Sequence, residues 1–110
     1  CGGVLTESSG SISSPNYPNP YPPNKECVWR IRAPPGYRVS LTFQDFDLED
    51  HDGCGYDYVE IRDGDPSSSP LLGRFCGSGI PEDIRSSSNR MTIKFVSDAS
   101  VQKRGFKATY

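Results

Sequence analysis

Cys27-Val28-Trp29-Arg30-Ile31-Arg32 sets Cys27, Trp29 and Ile31 on one side of an extended chain and Val28, Arg30 and Arg32 on the other. A period of two is the signature of a strand with one buried face. The pattern recurs at Val39, Leu41 and Phe43, at Met91, Ile93 and Phe95, and at Phe106, Ala108 and Tyr110. Asp57-Tyr58-Val59-Glu60-Ile61 repeats it, with Val59 and Ile61 inward and Asp57 at the head of that row. Helical periodicity does not recur. Turn residues separate the runs: Pro15-Asn16-Tyr17-Pro18-Asn19-Pro20, Pro34-Pro35-Gly36, Asp63-Gly64-Asp65-Pro66 and Gly77-Ser78-Gly79. Many short strands joined in this way predict an all-β chain folded as a β-sandwich. Residues 15–23 read as an extended, ordered crossing, because Tyr17 and Tyr21 need burial; residues 67–69 and 86–88 read as loop.

With 110 residues, the chain fits one domain with a modest core, and no repeat or second domain is visible. A hydrophobic content of 34% is lean, so support beyond burial is expected. Four cysteines in a small, loop-rich chain argue for two disulfides and a secreted or extracellular setting. Three pairings are open; the spacings suggest sequence order, Cys1 with Cys27 and Cys54 with Cys76, each bridge worth ~3 kcal/mol. Zinc is disfavoured, since no C-x2-C pair exists and His51 is the sole histidine. No apolar stretch approaches the ~20 residues that span a bilayer, and no signal peptide is visible. The chain reads as a module cut from a longer secreted or cell-surface protein, with neither membrane insertion nor nucleic-acid binding expected. No Asn-x-Ser/Thr acceptor occurs.

Charge is strongly segregated. Residues 45–65 hold nine carboxylates and a single base, Arg62, while the other 89 residues hold five acids and eleven bases. Carboxylates this dense repel one another, and a fold that gathers them at one place needs a cation there. Calcium prefers six to eight oxygens, carboxylates mixed with carbonyls and water. An EF-hand loop fails, because placing Gly53 sixth puts Leu48 first and Val59 twelfth, where acids are required. A site must therefore come from separate segments. Glu49 follows the 39–43 strand, Asp57 begins the next, and Asp98 lies in the turn before the last strand. If those loops share one end of the sandwich, three carboxylates meet. On spacing alone, ordinary solvated carboxylates remain the alternative.

Seven motifs in order bear on that choice: Gly2-Gly3 after Cys1, Ser14-Pro15-Asn16-Tyr17-Pro18, Cys27-x-Trp29-x-Ile31, Phe46-x-Leu48-Glu49, Cys54-x-Tyr56-Asp57-Tyr58-Val59-Glu60-Ile61-Arg62-Asp63-Gly64, Gly73-Arg74-Phe75-Cys76-Gly77, and Phe95-x-Ser97-Asp98 followed by Gly105-Phe106. Together they resemble the CUB domain family over the whole chain, most of all the CUB modules of tolloid-type procollagen proteinases. The resemblance implies an extracellular β-sandwich of two antiparallel sheets, with disulfides Cys1–Cys27 and Cys54–Cys76. It implies that Glu49, Asp57 and Asp98 coordinate Ca²⁺, helped by carbonyls near Ser100 and Val101, with the Tyr17 hydroxyl orienting a carboxylate from behind. It also implies that the ion orders an acidic surface that receives a Lys or Arg of an extracellular protein partner. Asp45, Asp47, Asp50 and Asp52 have no counterpart in that pattern and read as solvated loop charges.

Catalysis is not expected of the module itself. Both disulfides consume the cysteines, His51 lies in a polar loop, and neither G-x-S-x-G nor H-E-x-x-H occurs. A tolloid-like parent would make it a substrate-recognition module. The alternatives are a purely structural spacer and weak glycosaminoglycan contact through Lys103, Arg104 and Lys107, although three charges also suit a protected strand edge.

Overall fold

The computed structural model describes residues 1–64, 69–99 and 101–110. The Asp65-Pro66 part of the expected third turn, Ser67 and Ser68 of the expected loop, and Ser100 lie outside the described residues. Nine strands form among the described residues: β1 (Gly3–Leu5), β2 (Ser11–Ser13), β3 (Glu26–Arg32), β4 (Ser40–Asp47), β5 (Tyr58–Arg62), β6 (Leu71–Phe75), β7 (Ile84–Arg85), β8 (Arg90–Val96) and β9 (Gly105–Thr109). They make two sheets, ordered β1-β3-β8-β5-β6 and β2-β9-β4-β7. The all-β sandwich is as the alternation predicts, and both disulfides form in sequence order, with Cα separations of 5.3 and 5.5 Å.

Alternation becomes burial directly. Cys27, Trp29 and Ile31 of β3, Val59 and Ile61 of β5, Met91, Ile93 and Phe95 of β8, and Phe106 and Ala108 of β9 all point into the core. Aromatic rings lock the two sheets together: across the gap Phe106 of β9 meets Trp29 edge-on at a ring separation of 5.8 Å and Phe95 at a tilt at 5.7 Å. Such edge-to-face packing adds to the area it buries.

Two features depart from the simplest reading. All strand pairings are antiparallel except one, since β1 runs parallel to β3 with Gly3 opposite Trp29. The Cys1–Cys27 bridge holds that strand in place. Gly2 permits the close approach, because a Cβ there would stand 2.4 Å from the Val28 carbonyl oxygen. Strand β4 also runs on to Asp47 instead of stopping at Phe43. Phe43 pairs with Ala108 and Asp45 with Lys107, so Gln44 is an extra residue, a bulge. The bulge resets the alternation and turns Phe46 and Leu48 inward.

The registers align five strand ends, three in one sheet and two in the other. Tyr58 at the start of β5 and Glu26 at the start of β3 both pair with Val96 at the end of β8. Asp47 at the end of β4 pairs with Gly105 at the start of β9. The segments carrying Glu49, Asp57 and Asp98 therefore leave the sandwich at one end.

Candidate metal centre

Asp57 is fully buried, held by the first residues of β5 at the mouth of the core. Its Oδ1 accepts the Asp98 backbone N–H at 2.7 Å, and its Oδ2 accepts the Tyr21 hydroxyl proton. The Tyr21 oxygen in turn accepts the Glu49 backbone N–H at 3.3 Å. One oxygen from each of Glu49, Asp57 and Asp98 lies within 4.8 Å of the others. The surrounding backbone is tied as well: Asn24 N–H donates to the Asp98 carbonyl at 3.0 Å. The Ser97 hydroxyl accepts from Lys25 N–H at 2.9 Å and donates to the Pro22 carbonyl at 2.8 Å.

Burial first, then the charges of Asp98 and Asp57, pushes the Glu49 carboxyl above its ordinary range. Burial also raises Asp57, against the lowering effect of its two hydrogen bonds. Three carboxylates this close resist ionising together without a cation. Glu49 Oε1 is buried and accepts no hydrogen bond among the described residues. An orphaned buried acceptor is costly. A hard cation bound by oxygen removes both costs, and a set of carboxylates with carbonyls nearby suits Ca²⁺. The residues present fit that ion.

The structure places one expected member elsewhere. Tyr17 does not reach the trio; its hydroxyl donates to Asp45 at 2.7 Å. Tyr21 backs the site instead, buried to 1% exposure, its phenol raised well above the usual value by burial and by Asp57. Both tyrosines precede a proline, so the local sequence does not distinguish them. Val101 borders a depression of about 340 Å³ together with Glu49, Asp50, Gly77, Ser78 and Lys103.

Asp45 and Asp47 are not solvated loop charges, because the bulge carries them onto β4. Arg104 grips Asp45 through two bonds of 2.7 Å and lies 3.6 Å from Asp47. Lys107 sits directly opposite Asp45 across β4 and β9. Lys103, Arg104 and Lys107 thus lie against acids or beside the carboxylate trio and do not form an isolated basic patch. Asp50 and Asp52 are exposed, as expected.

The junction of Tyr17, Asp45 and Arg104 joins the 15–23 crossing, the strand that leads to Glu49 and the stretch that follows Asp98. Arg104 first, then the Tyr17 hydroxyl, holds the Asp45 carboxyl well below the usual carboxylate range. A depressed folded pKa contributes stability above the unfolded value of ~3.9 and loses it as pH falls. In Arg104→Gln that contribution shrinks. The stability gap between wild type and variant, read by urea unfolding, is expected to be wide at pH 7 and to narrow at pH 3. A gap that stays constant over that range contradicts the assignment.

A family model described as CUB domain matches residues 1–110. The chain belongs to the CUB family. This CUB domain is 56% identical, over its full 110 residues, to Tolloid-like protein 2 of Mus musculus, of which it covers 11%. It is 61% identical over 109 residues to Dorsal-ventral patterning protein tolloid of Drosophila melanogaster, covering 98% of this chain and 10% of that protein. Among solved structures, the MASP-1 CUB2 domain bound to Ca²⁺ superposes with a TM-score of 0.88 at 42% identity, covering 99% of this chain and 97% of that one. The domain spans between 10% and 17% of the length of the curated tolloid and bone morphogenetic protein 1 relatives it matches. CUB domains are non-catalytic protein-interaction modules, so family membership supports the expectation that this chain performs no turnover. No helix of the described residues is long and apolar enough to cross a membrane.

Proposed function

We propose that this CUB domain is an extracellular, calcium-dependent protein-binding module, one of several domains in a longer protein. Glu49, Asp57 and Asp98 hold Ca²⁺, carbonyl oxygens near Ser100 and Val101 contribute, and Tyr21 braces Asp57 from behind. The observation that carries the reading is the unpaired, buried Glu49 oxygen within a knot of three carboxylates. The calcium-bound state of the similar MASP-1 CUB2 domain supports it.

When bound, the ion supplies positive charge that cancels the mutual repulsion of the acids. The protein groups do the rest. Hydrogen bonds from Tyr21 and the Asp98 amide fix the Asp57 carboxylate, so its orientation does not have to be gained at the moment of binding. A carboxylate oxygen left at the rim can then accept a Lys or Arg of the partner, and such charge-assisted bonds are stronger than neutral ones. Single contacts of this kind are weak, and repeated modules on one chain multiply them. Within a tolloid-like parent the domain would hold a substrate or partner for chemistry performed elsewhere in the chain.

Calorimetric titration with CaCl₂ tests the site. Wild type is expected to bind one ion in the ~10⁻⁴–10⁻³ M range of extracellular modules. Asp98→Ala should show no binding heat while keeping its far-ultraviolet spectrum. A wild-type protein that gives neither heat nor thermal shift in millimolar calcium overturns the reading.

A further inference from the structure

The bases that balance the acidic end are concentrated. Outward positions of the five-stranded sheet carry Arg30 and Arg32 on β3, Arg90 and Lys94 on β8, Arg62 on β5 and Arg74 on β6. That is half of the chain's 12 Lys and Arg on one face. Glu26 and Glu60 are the acids at outward positions among the described residues of these strands. Register sets Arg32 directly opposite Arg90, with Arg30 one step along β3 opposite Thr92, which in turn faces Arg62. Directly opposed side chains stand ~5 Å apart, and like charges there destabilise a sheet. A sequence that places Arg against Arg in this way breaks a local rule, and such conflicts mark function more often than accident.

The guanidinium groups are ordered. Glu60, only 6% exposed, binds Arg62 at 3.3 Å and Arg74 at 2.8 Å, and Lys94 meets Glu26 at 3.2 Å. Arg30, Arg32 and Arg90 are engaged within the chain as well. A guanidinium has five donors in a rigid fork, so an internal contact can position it while other donors face outward. Along this face runs a trough of about 350 Å³ lined by Val28, Arg30, Arg62, Thr92 and Lys94 together with the carboxylates Glu26 and Glu60, while Arg32 and Arg90 lie beyond its lining. Exposed apolar side chains stand on the two edge strands of the face, Val4 of β1 opposite Arg30 and Leu71 of β6 opposite Arg62, and the strands between them carry the bases other than Arg74. The face's one aromatic ring among the described residues of those strands, Tyr58, lies under the Arg74 guanidinium at 4.2 Å.

We propose that this face binds a linear sulfated polysaccharide, whose sulfates are received by Arg30, Arg32, Arg62 and Arg90 independently of calcium. Planar guanidinium forks suit tetrahedral oxyanions. An array of cations repeating from strand to strand suits a stiff chain of repeating anions better than a folded acidic protein. The disulfide-bearing extracellular setting is where such polymers occur.

Heparin binding in EDTA tests this, separately from the metal centre. Wild type should be retained and released by salt. An Arg30→Thr, Arg32→Thr, Arg90→Thr triple variant should bind at least tenfold more weakly. Its affinity should also depend less on salt, by about one unit of slope per lost contact. Should the triple variant fold poorly, Arg90→Thr alone is expected to weaken binding about threefold. Lys103→Thr with Lys107→Thr should leave retention unchanged. Equal retention of the Arg variants and wild type overturns the proposal. Desulfated heparin binding as tightly as heparin overturns it too, as does poly-glutamate competing on equal terms, which would assign the face to an acidic protein.

Discussion

Asp57→Asn is expected to abolish the calcium-dependent rise in melting temperature while leaving the calcium-free protein folded. In wild type, calcium at ten times its Kd stabilises the folded state by about 1.4 kcal/mol. For a domain of this size that raises Tm on the order of 5 °C. Asp57 is the oxygen donor on which the arrangement turns: it is fully buried, has an oxygen within 4.8 Å of both other carboxylates, and is fixed by Tyr21 and the Asp98 amide. Asparagine keeps its shape and one acceptor oxygen and removes the charge. Asp57→Ala should lose calcium binding too, and it should also lose stability without calcium. The Tyr21 hydroxyl and the Asp98 amide would then be left buried without their acceptor, at about 1–3 kcal/mol each. Scanning calorimetry of the three proteins with and without EDTA separates these outcomes. A wild-type calcium shift in Asp57→Asn would remove the residue from the site.

The same geometry fixes a pH dependence. Glu49 and Asp57 have folded pKa values above their unfolded ones of ~4.3 and ~3.9. Their contribution is therefore complete below those unfolded values and is lost as pH rises through the folded ones. Asp45 and Glu60, both depressed, act in the opposite sense and lose stability as pH falls. Chelated protein should accordingly be most stable in the mildly acidic range and weaken toward pH 7. Calcium should cancel the decline on the neutral side, and Asp57→Asn should flatten it without calcium.

How far the sequence could be read depended on whether the relevant physics was local. β3, β8 and β9 were legible because each is a regular half-buried strand, so period two and burial coincide. β4 was legible only to Phe43, since the bulge at Gln44 breaks the period and hides Phe46 and Leu48 from a simple alternation. β1, β2 and β7 have three residues or fewer and carry no periodicity to read. The acidic window drew attention to Glu49 and Asp57, but Asp98 lies outside it, and the choice of this trio rested on the family motifs around each of the three. Tyr17 was read into the place that Tyr21 fills, because both occur as Tyr-Pro in one crossing and only the packing of residues 21–25 beside Ser97 separates them. Asp45 was misread as solvated because its partner, Arg104, lies 59 residues away. An excess of bases outside the acidic window was evident in the sequence, but its concentration on one face required the register of β3 against β8 and β5.

Phe106→Ala should be the most damaging single core substitution that leaves both disulfides and every carboxylate in place. The ring is fully buried on β9 and contacts Trp29 and Phe95 from the opposite sheet and Phe43 from its own, at 5.8, 5.7 and 6.1 Å. It therefore fills the space between the sheets and not a margin of one. Truncating a buried Phe costs about 3–5 kcal/mol, the transfer of the lost atoms plus the cavity that remains. Three aromatic neighbours fixed in separate strands cannot collapse into that space, so the upper part of the range applies. Total stability of a small domain is about 5–15 kcal/mol, so the variant approaches its unfolding threshold. The damage should also reach the metal centre. The Phe106 backbone N–H donates to Ser14 Oγ at 3.1 Å, and the preceding residues, Arg104 and Gly105, tie the Asp98 loop to β4. Urea unfolding in EDTA should show a loss of about 4–5 kcal/mol, and calcium affinity should weaken even where the fold persists. Phe106→Leu, which keeps most of the volume, should cost well under half as much. A loss below about 1 kcal/mol for the alanine variant would mean that the two sheets are held together elsewhere, by the disulfides and the outer charge pairs instead of this aromatic cluster.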